Sequence, residues 1–380
     1  MNDRRLTKVY SAFGTSIYAP GIPQIAARFG VSLEVATLGV SLYSLGLGGV
    51  FYQTEFGLRV LTFTSAAFGP VLGAPISEAK GRKAVYLLTL PIFLLFTVGC
   101  GLSKNITSLL ICRFFAAAAG SPSLAIGAGT VADLWDMREG GGLAAILFAQ
   151  TLFLGPSLGP LVGGYTLQTR GDWTWLMWVI LLTSGPLYLV LFFASETSKK
   201  ELLRRRAIVR GIPRPPKPPA LLALKMLIVI TLFRPLEMLL VEPIVAFLAL
   251  YCSFAFGVLY AFFTAYPYVF EGVYGFSIGS SGLPFLSIFL GTLLATLTFF
   301  AFDNTLYKKA KVQCLGTIPA PEERLYTCMV GSFGIPIGLF WFAWTSRTDV
   351  HWIVPIIAGV PFGWGMSSLF VSPSPQFLLS

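Results

Sequence analysis

The sequence predicts an all-α, polytopic membrane protein, and three observations predict it. Hydrophobic residues make up 55% of the 380-residue chain, more than in soluble domains, where about 45–50% is usual even with Gly counted. Charged residues fall to 12%, about half the usual share, too few to cover the water-facing surface of a globule of this size. The apolar residues also run in stretches of roughly twenty, the length a helix needs to cross a hydrocarbon core of about 30 Å. With a mean hydropathy of +0.75, the chain is far too apolar for a disordered protein.

The clearest spans are read at about 84–102, 106–131, 142–167, 173–194, 243–268, 282–302, 327–346 and 352–371. Two weaker ones precede them at 9–25 and 35–51, and a further apolar piece lies at 60–77. The expectation is therefore about ten spans.

The net charge is +10, which alone suggests nucleic acid or an anionic membrane surface. Its distribution decides between them. Loops after even-numbered spans carry 18 cations, among them Lys80, Arg82, Lys83, Arg138, Lys308, Lys309, Lys311 and Arg324. Loops after odd-numbered spans carry four, Arg28, Lys104, Arg170 and Arg347. The positive-inside rule places the even loops and the N-terminus in the cytoplasm. Residues 199–234 alone hold ten cations and one acid, Glu201, which leaves the rest of the chain near neutral and removes the nucleic-acid reading. Three domains follow: an N-terminal bundle over 1–198, a basic Pro-rich cytoplasmic linker over 199–240, and a C-terminal bundle over 241–380. The proline run in the linker is expected to be extended. Residues 220–233 (ALLALKMLIVITLF) contain Lys225, are too short to cross, and read as an interfacial helix.

Five scattered cysteines and one histidine, His351, support neither a zinc site nor a disulfide framework. No GxxxxGK[ST] run is present, so nothing points to ATP, and a pump of this composition draws on a gradient. An intramembrane enzyme has no nucleophile, base or paired carboxylates to build on, and no enzyme is expected.

Three local patterns carry chemistry. Between spans 2 and 3 the chain reads Ala74-Pro75-Ile76-Ser77-Glu78-Ala79-Lys80-Gly81-Arg82-Lys83. It can serve as a charge latch, with Glu78 pairing a cation or a helix N-terminus; a solvated turn is the alternative. In span 4, Arg113 sits inside LLICRFFAAAAG. An arginine at mid-membrane costs about 2.5–3.5 kcal/mol on insertion scales and normally faces a partner or a wet cavity, or else snorkels to the interface. In span 5, Gly155, Gly159 and Gly163 are four apart and share a face, flanked by Pro156, Pro160 and Gly164. Such a face admits another helix closely and suits a rocking interface, with ordinary small-residue contact as the alternative. Aromatics of span 7, including Tyr251, Tyr260 and Tyr266, offer cation–π surfaces to amines or simply face lipid or core. Gln150 and Glu242 are polar residues at apparent span edges.

Together these patterns resemble the major facilitator superfamily, in its fungal twelve-span drug:proton antiporter branch. The loop pattern resembles the signature G-x-x-x-D-R-x-G-R-R, with Glu78 at the acid and Gly81, Arg82 and Lys83 in place, while Ala74 and Ala79 depart from it. Arg113 with Gly120 resembles the second signature. The span 5 run matches G-x-x-x-G-P-x-x-G-G at Gly155, Gly159, Pro160, Gly163 and Gly164. The stretches SIYAPGIPQIAARFGVS, GTVADLWD, RPLEMLLVEPIVAFLALY, PEERLY and HWIVPIIAGVPFG resemble the polyamine and fungicide exporter branch. The resemblance runs from Ser11 to about Leu369. It implies a fold of two six-helix bundles and export of small cationic or amphipathic molecules against proton entry. It further implies Arg113 as the proton-coupling element, a proton gradient in place of any cofactor, and a monomer in the plasma or vacuolar membrane. Gln150, Tyr251, Tyr260 and Tyr266 are the candidates for substrate contact.

Residues 48–65 (GGVFYQTEFGLRVLTFTS) interrupt span 2 and bring in Glu55 and Arg59, while the chain ends in VSPSPQFLLS after span 10. Both depart from the resemblance. They suggest a mis-spliced or truncated version in which the second bundle is incomplete. The alternative function is then a degenerate, non-transporting paralogue or a membrane sensor on the same fold.

Overall fold

A computed structural model describes residues 12–47, 77, 81–134, 141–211, 229, 234–302, 305 and 326–371. Those residues are helical with short connections, and no strand occurs among them. In chain order the helices are α1 (Ile22–Phe29), α2 (Leu33–Leu47), α3 (Arg82–Gly101), α4 (Ile106–Gly120), α5 (Pro122–Leu134), α6 (Gly141–Arg170), α7 (Thr174–Phe193) and α8 (Lys199–Val209). They continue with α9 (Arg234–Val241), α10 (Pro243–Pro267), α11 (Phe285–Phe302), α12 (Tyr326–Gly331), α13 (Gly334–Thr345), α14 (Ile353–Ile357) and α15 (Gly359–Val371).

Among the described residues, five helical stretches are long and apolar enough to cross a membrane: Arg82–Gly101, Thr174–Phe193, Val245–Val273, Ser280–Phe302 and Tyr326–Thr345. Shorter apolar helices lie at Leu33–Leu47, Ile106–Gly120 and Ile353–Leu369. Their outward faces stay apolar, as Leu95, Leu182, Phe193, Phe247 and Leu250 illustrate. A helix hydrophobic all round is one that lipid or protein surrounds.

Local chemistry sets the helix ends. The Asn105 side chain accepts the Ser108 N–H at 2.8 Å and caps α4. Asp172 receives the Thr174 N–H at 3.2 Å and the Thr174 hydroxyl at 2.8 Å, starting α7 after a tight turn at Gly171. The fourth predicted span passes through Ser121-Pro122 without losing its helical path, because Ser121 stays helical and Pro122 stands at the start of α5, where its missing N–H costs nothing. The basic connector opens as a helix, α8, before its prolines. Ser198 caps it, and Glu201 pairs with Arg204 and Arg205 one turn on. The proline run, the stretch 220–233 apart from Val229, and the interrupting segment 48–65 lie outside the described residues.

By contact the chain divides into two compact units. The first, residues 1–11, 29–134 and 177–258, contains α2 to α5, most of α7, α8, α9 and the start of α10. In it α4 lies against both α3 and α2, and α5 against α3. Val85, Tyr86 and Ile126 form a buried core. The second unit, residues 12–28, 135–176 and 259–380, contains α1, α6, the end of α10 and α11 to α15. There α11 and α15 are the most intimate pair, and α6 runs against α11, α15 and the turns at Ala19–Gly21 and Ser280–Gly282.

Candidate functional site

In the first unit a polar hub surrounds the start of α3. Gly81 holds φ at 97°, a left-handed conformation that a side chain would strain. The next residue, Arg82, donates from Nε to Asp133 Oδ2 at 3.1 Å and from a terminal nitrogen to the Ser77 hydroxyl at 3.2 Å. The Arg82–Asp133 pair is largely covered, with side-chain exposures of 11% and 23%, so water screens it less than a surface pair. The guanidinium lies flat on α5, where a methyl group on Gly129 would come within 2.7 Å of Cζ.

Glu196, just past α7, completes the hub. It accepts the backbone N–H groups of Arg82 at 3.0 Å, Lys83 at 3.1 Å, Thr197 at 2.8 Å and Ser198 at 3.0 Å. Two of these are orphan donors at the N-terminus of α3, which a carboxylate satisfies and stabilises. Burial pushes the Glu196 carboxyl up. The four backbone N–H groups outweigh that and hold it below its ordinary 4.5. Of the loop residues predicted to act here, Gly81, Arg82 and Lys83 join the hub, while Glu78 lies outside the described residues. Asp133 and Glu196 supply the acids, and neither was singled out from the sequence. The signal for Glu196 was an acid placed between the end of a span and a helix-capping serine.

Arg113 is 1% exposed. Its Nε donates to the Gly39 carbonyl at 2.8 Å, its guanidinium carbon sits 4.7 Å from the Tyr43 ring centroid, and a terminal nitrogen comes 4.0 Å from Met177 Sδ. The charge thus stays among α2, α4 and α7. A carbonyl and an aromatic face together lower the cost of burying a cation.

In the second unit, α6 stays helical through Pro156 and Pro160. The Gly155 carbonyl accepts the Ser16 hydroxyl at 3.1 Å. A methyl group on Gly159 would lie 2.7 Å from Ser16 Cβ and 2.8 Å from Ile17 N, and one on Gly163 would lie 2.7 Å from Ile17 O. One on Gly164 would collide with the Ile278 carbonyl. The predicted small face therefore takes the residue 16–17 backbone along one line and the 278–279 turn along another. At its other end, the Gln150 Nε2 lies 2.8 Å from the Thr292 carbonyl, 2.6 Å from the Thr296 hydroxyl and 3.2 Å from the Ser367 hydroxyl, and its two hydrogens serve two of these acceptors at a time. This knot joins α6 to α11 and α15. Its Oε1 is buried and has no partner among the described residues.

The span 7 aromatics separate. Tyr266 is fully buried between Phe262, Phe285 and Phe342, with ring centroids 4.8, 4.8 and 5.3 Å away. Tyr260 is buried against the edge of Phe263 at 5.1 Å. Tyr251 is half-buried, and Phe254 faces outward.

The chain is 36% identical to Polyamine transporter 4 of Saccharomyces cerevisiae, across 94% of this chain and 55% of that protein. It is 38% identical to Efflux pump FUB11 of Gibberella moniliformis, across 95% and 58%. It is also 38% identical to the Major facilitator superfamily multidrug transporter mdrA of Aspergillus fumigatus, across 95% and 57%. The chain thus spans little more than half the length of these relatives. Among solved structures it resembles the xylose transporter XylE from E. coli, with a TM-score of 0.65 at 14% identity over 100% of this chain and 83% of that one. A structure of XylE bound to 6-bromo-6-deoxy-D-glucose gives the same TM-score at 16% identity, over 98% and 80%. These likenesses concern the fold. The relatives are transporters, not enzymes. The Major Facilitator Superfamily profile matches residues 6–377, and the chain belongs to that superfamily, as a multi-pass membrane protein with the major facilitator fold.

Proposed function

We propose that this chain is a secondary active exporter that carries small cationic or amphipathic compounds, such as polyamines or antifungal drugs, out of the cytoplasm in exchange for protons. The observation that carries the reading is the α6 face. Every fixed small position of the antiporter pattern on it, Gly155, Gly159, Gly163 and Gly164, meets neighbouring backbone or side chain with no room for a Cβ or through its own carbonyl. A surface so free of side chains lets one element slide or rock on another. The names of the relatives, a polyamine transporter and efflux pumps, support the substrate class.

In this reading Arg113 is the proton-coupling element, and the Gly81–Arg82–Lys83 hub is a gate on the cytoplasmic side. The excess of cations in the even loops supports a cytoplasmic N-terminus and central connector. Two sequence bundles, 1–198 and 241–380, joined by the basic linker, form the moving halves of a monomer in the plasma membrane. Gln150, Tyr251, Tyr260 and Tyr266 remain candidates for substrate contact.

The test is flux of radiolabelled spermidine, and of an azole antifungal, into inverted membrane vesicles containing the full chain. The wild type accumulates label when the lumen is acid, and Arg113→Ala abolishes that accumulation. Accumulation by the wild type with unchanged coupling in Arg113→Ala removes the role of Arg113. No flux across both probes favours a non-transporting sensor on the same fold.

A further inference from the structure

Proton exchange needs a group that gains and loses a proton, and a guanidinium does not do so in a protein. Arg113 can therefore bias a proton carrier but cannot be one. Of the five described stretches long enough to cross a membrane, one contains a carboxylate, Glu271 in Val245–Val273. Glu271 stands two residues before the end of that stretch, where a carboxylate can exchange protons with the aqueous side.

Its setting is built. After Pro267, α10 widens into a single π-helical turn over Tyr268–Val273 that contains Glu271, a distortion frequent at functional sites. The half-buried Glu271 accepts the hydroxyl of Ser281, itself 3% exposed, at 2.6 Å through Oε1. The same hydroxyl lies 2.9 Å from the Ile278 carbonyl. One hydroxyl hydrogen serves one of these acceptors at a time. The Ile278 carbonyl is also the atom that abuts Gly164 of α6, and the next residue, Gly279, donates its N–H to Gln168 of α6 at 3.2 Å.

We propose that Glu271 takes up and releases the exchanged proton, and that the Ser281 hydroxyl relays its state to the 277–282 turn resting on α6. With Glu271 ionised, the Ser281 hydrogen points to the carboxylate. With Glu271 protonated, the new carboxyl O–H donates to Ser281 Oγ, and the Ser281 hydrogen turns to the Ile278 carbonyl. One proton enters, one bond reverses, and the turn's contact with the antiporter face changes.

The neighbouring elements carry their own polar and charged groups. The 277–282 turn carries only serines as polar side chains. The end of α6 carries Gln168 and Arg170, the latter stacked 4.5 Å over Trp175. The loop reached through the Tyr274 hydroxyl, which donates to Arg347 O at 2.9 Å, bears Arg347, Asp349 and His351. In that loop Arg347 pairs with Asp349 at 3.6 Å. The inference rests on the exporter reading and its orientation, in which this end faces the outside, the source of the protons.

The test uses the full chain in proteoliposomes with spermidine as probe. Glu271→Gln is expected to keep spermidine–spermidine exchange and lose gradient-driven accumulation. Glu271→Asp restores accumulation, and Ser281→Ala weakens it, because the hydroxyl that joins the carboxylate to the turn is gone. Infrared difference spectra on acidification give a second readout: a protonated-carboxyl band in the wild type that Glu271→Gln lacks. Gradient-driven accumulation intact in Glu271→Gln, or an unchanged band, overturns the proposal. A wild type without accumulation refutes the exporter reading instead, and the infrared band then still decides whether Glu271 binds the proton.

Discussion

Around Arg82, helices are tied by charge; along α6, they are tied by shape. The Arg82 hub gathers Asp133, Glu196, a serine hydroxyl and four backbone donors around one guanidinium and one helix start. The α6 face offers no charge, only missing side chains against which Ser16, Ile17 and Ile278 fit. Polar ties strengthen where water is scarce but depend on protonation and salt. Close backbone contact depends on neither and tolerates no added atom. Under the proposed function, the difference suits a gate that opens and a surface that slides.

The largest effect is expected from filling the α6 face. Gly159→Leu forces side-chain atoms into Ser16 and Ile17, and overpacking of this kind costs about 1–3 kcal/mol or more. Melting of the detergent-solubilised variant should fall by several degrees with transport lost. Melting like the wild type breaks the shape half of the comparison.

A smaller loss is expected from Arg82→Ala, which strands Asp133 in a covered site at about 1–3 kcal/mol. Raising the salt concentration should narrow its gap to the wild type only slightly, because the pair is largely covered, and leave the gap for Gly159→Leu unchanged. Equal salt responses would erase the contrast between the two regions.

Glu196 sharpens the polar half through pH. Its carboxyl is held below the ordinary 4.5 in the fold. Its contribution is therefore complete above that value and is lost as pH falls below it through the folded value. Melting of the wild type should drop more steeply below pH 4.5 than that of Glu196→Gln. Parallel curves would mean that the four N–H bonds are not what depresses it.

The smallest effect belongs to Gln150→Leu. Hydrogen bonds between membrane helices average about 0.6 kcal/mol, and the change also removes a buried acceptor that lacks a partner among the described residues. A shift of a degree or two is expected, and a collapse of the fold would make the knot a primary tie.

The small-residue face of α6 and, among the described residues, the five long apolar helices were legible in the sequence: glycines four apart share a face, and runs of about twenty apolar residues announce a crossing. The burial of Arg113 was foreseeable from its position, but its partners were not, since the Gly39 carbonyl and the Tyr43 ring leave no charge pattern to match. Glu196 and Glu271 escaped for related reasons. The first acts through four backbone groups, two of them more than a hundred residues away, and the second sits in a widened helical turn that apolar periodicity reads as the fraying end of a span. Likewise the proline run hid the helix that precedes it, where a cap at Ser198 and pairs from Glu201 were the better guide.

The proposed function turns on exchange of a cationic substrate for protons. It is tested most directly by adding spermidine to acid-loaded inverted vesicles that contain the chain and following lumenal pH with an enclosed dye, against vesicles without the protein. A saturable, spermidine-dependent rise in lumenal pH is expected, one that an inactive Arg113→Ala variant does not give. A lumenal pH indistinguishable from the empty vesicles, with spermidine nonetheless accumulating, would contradict it.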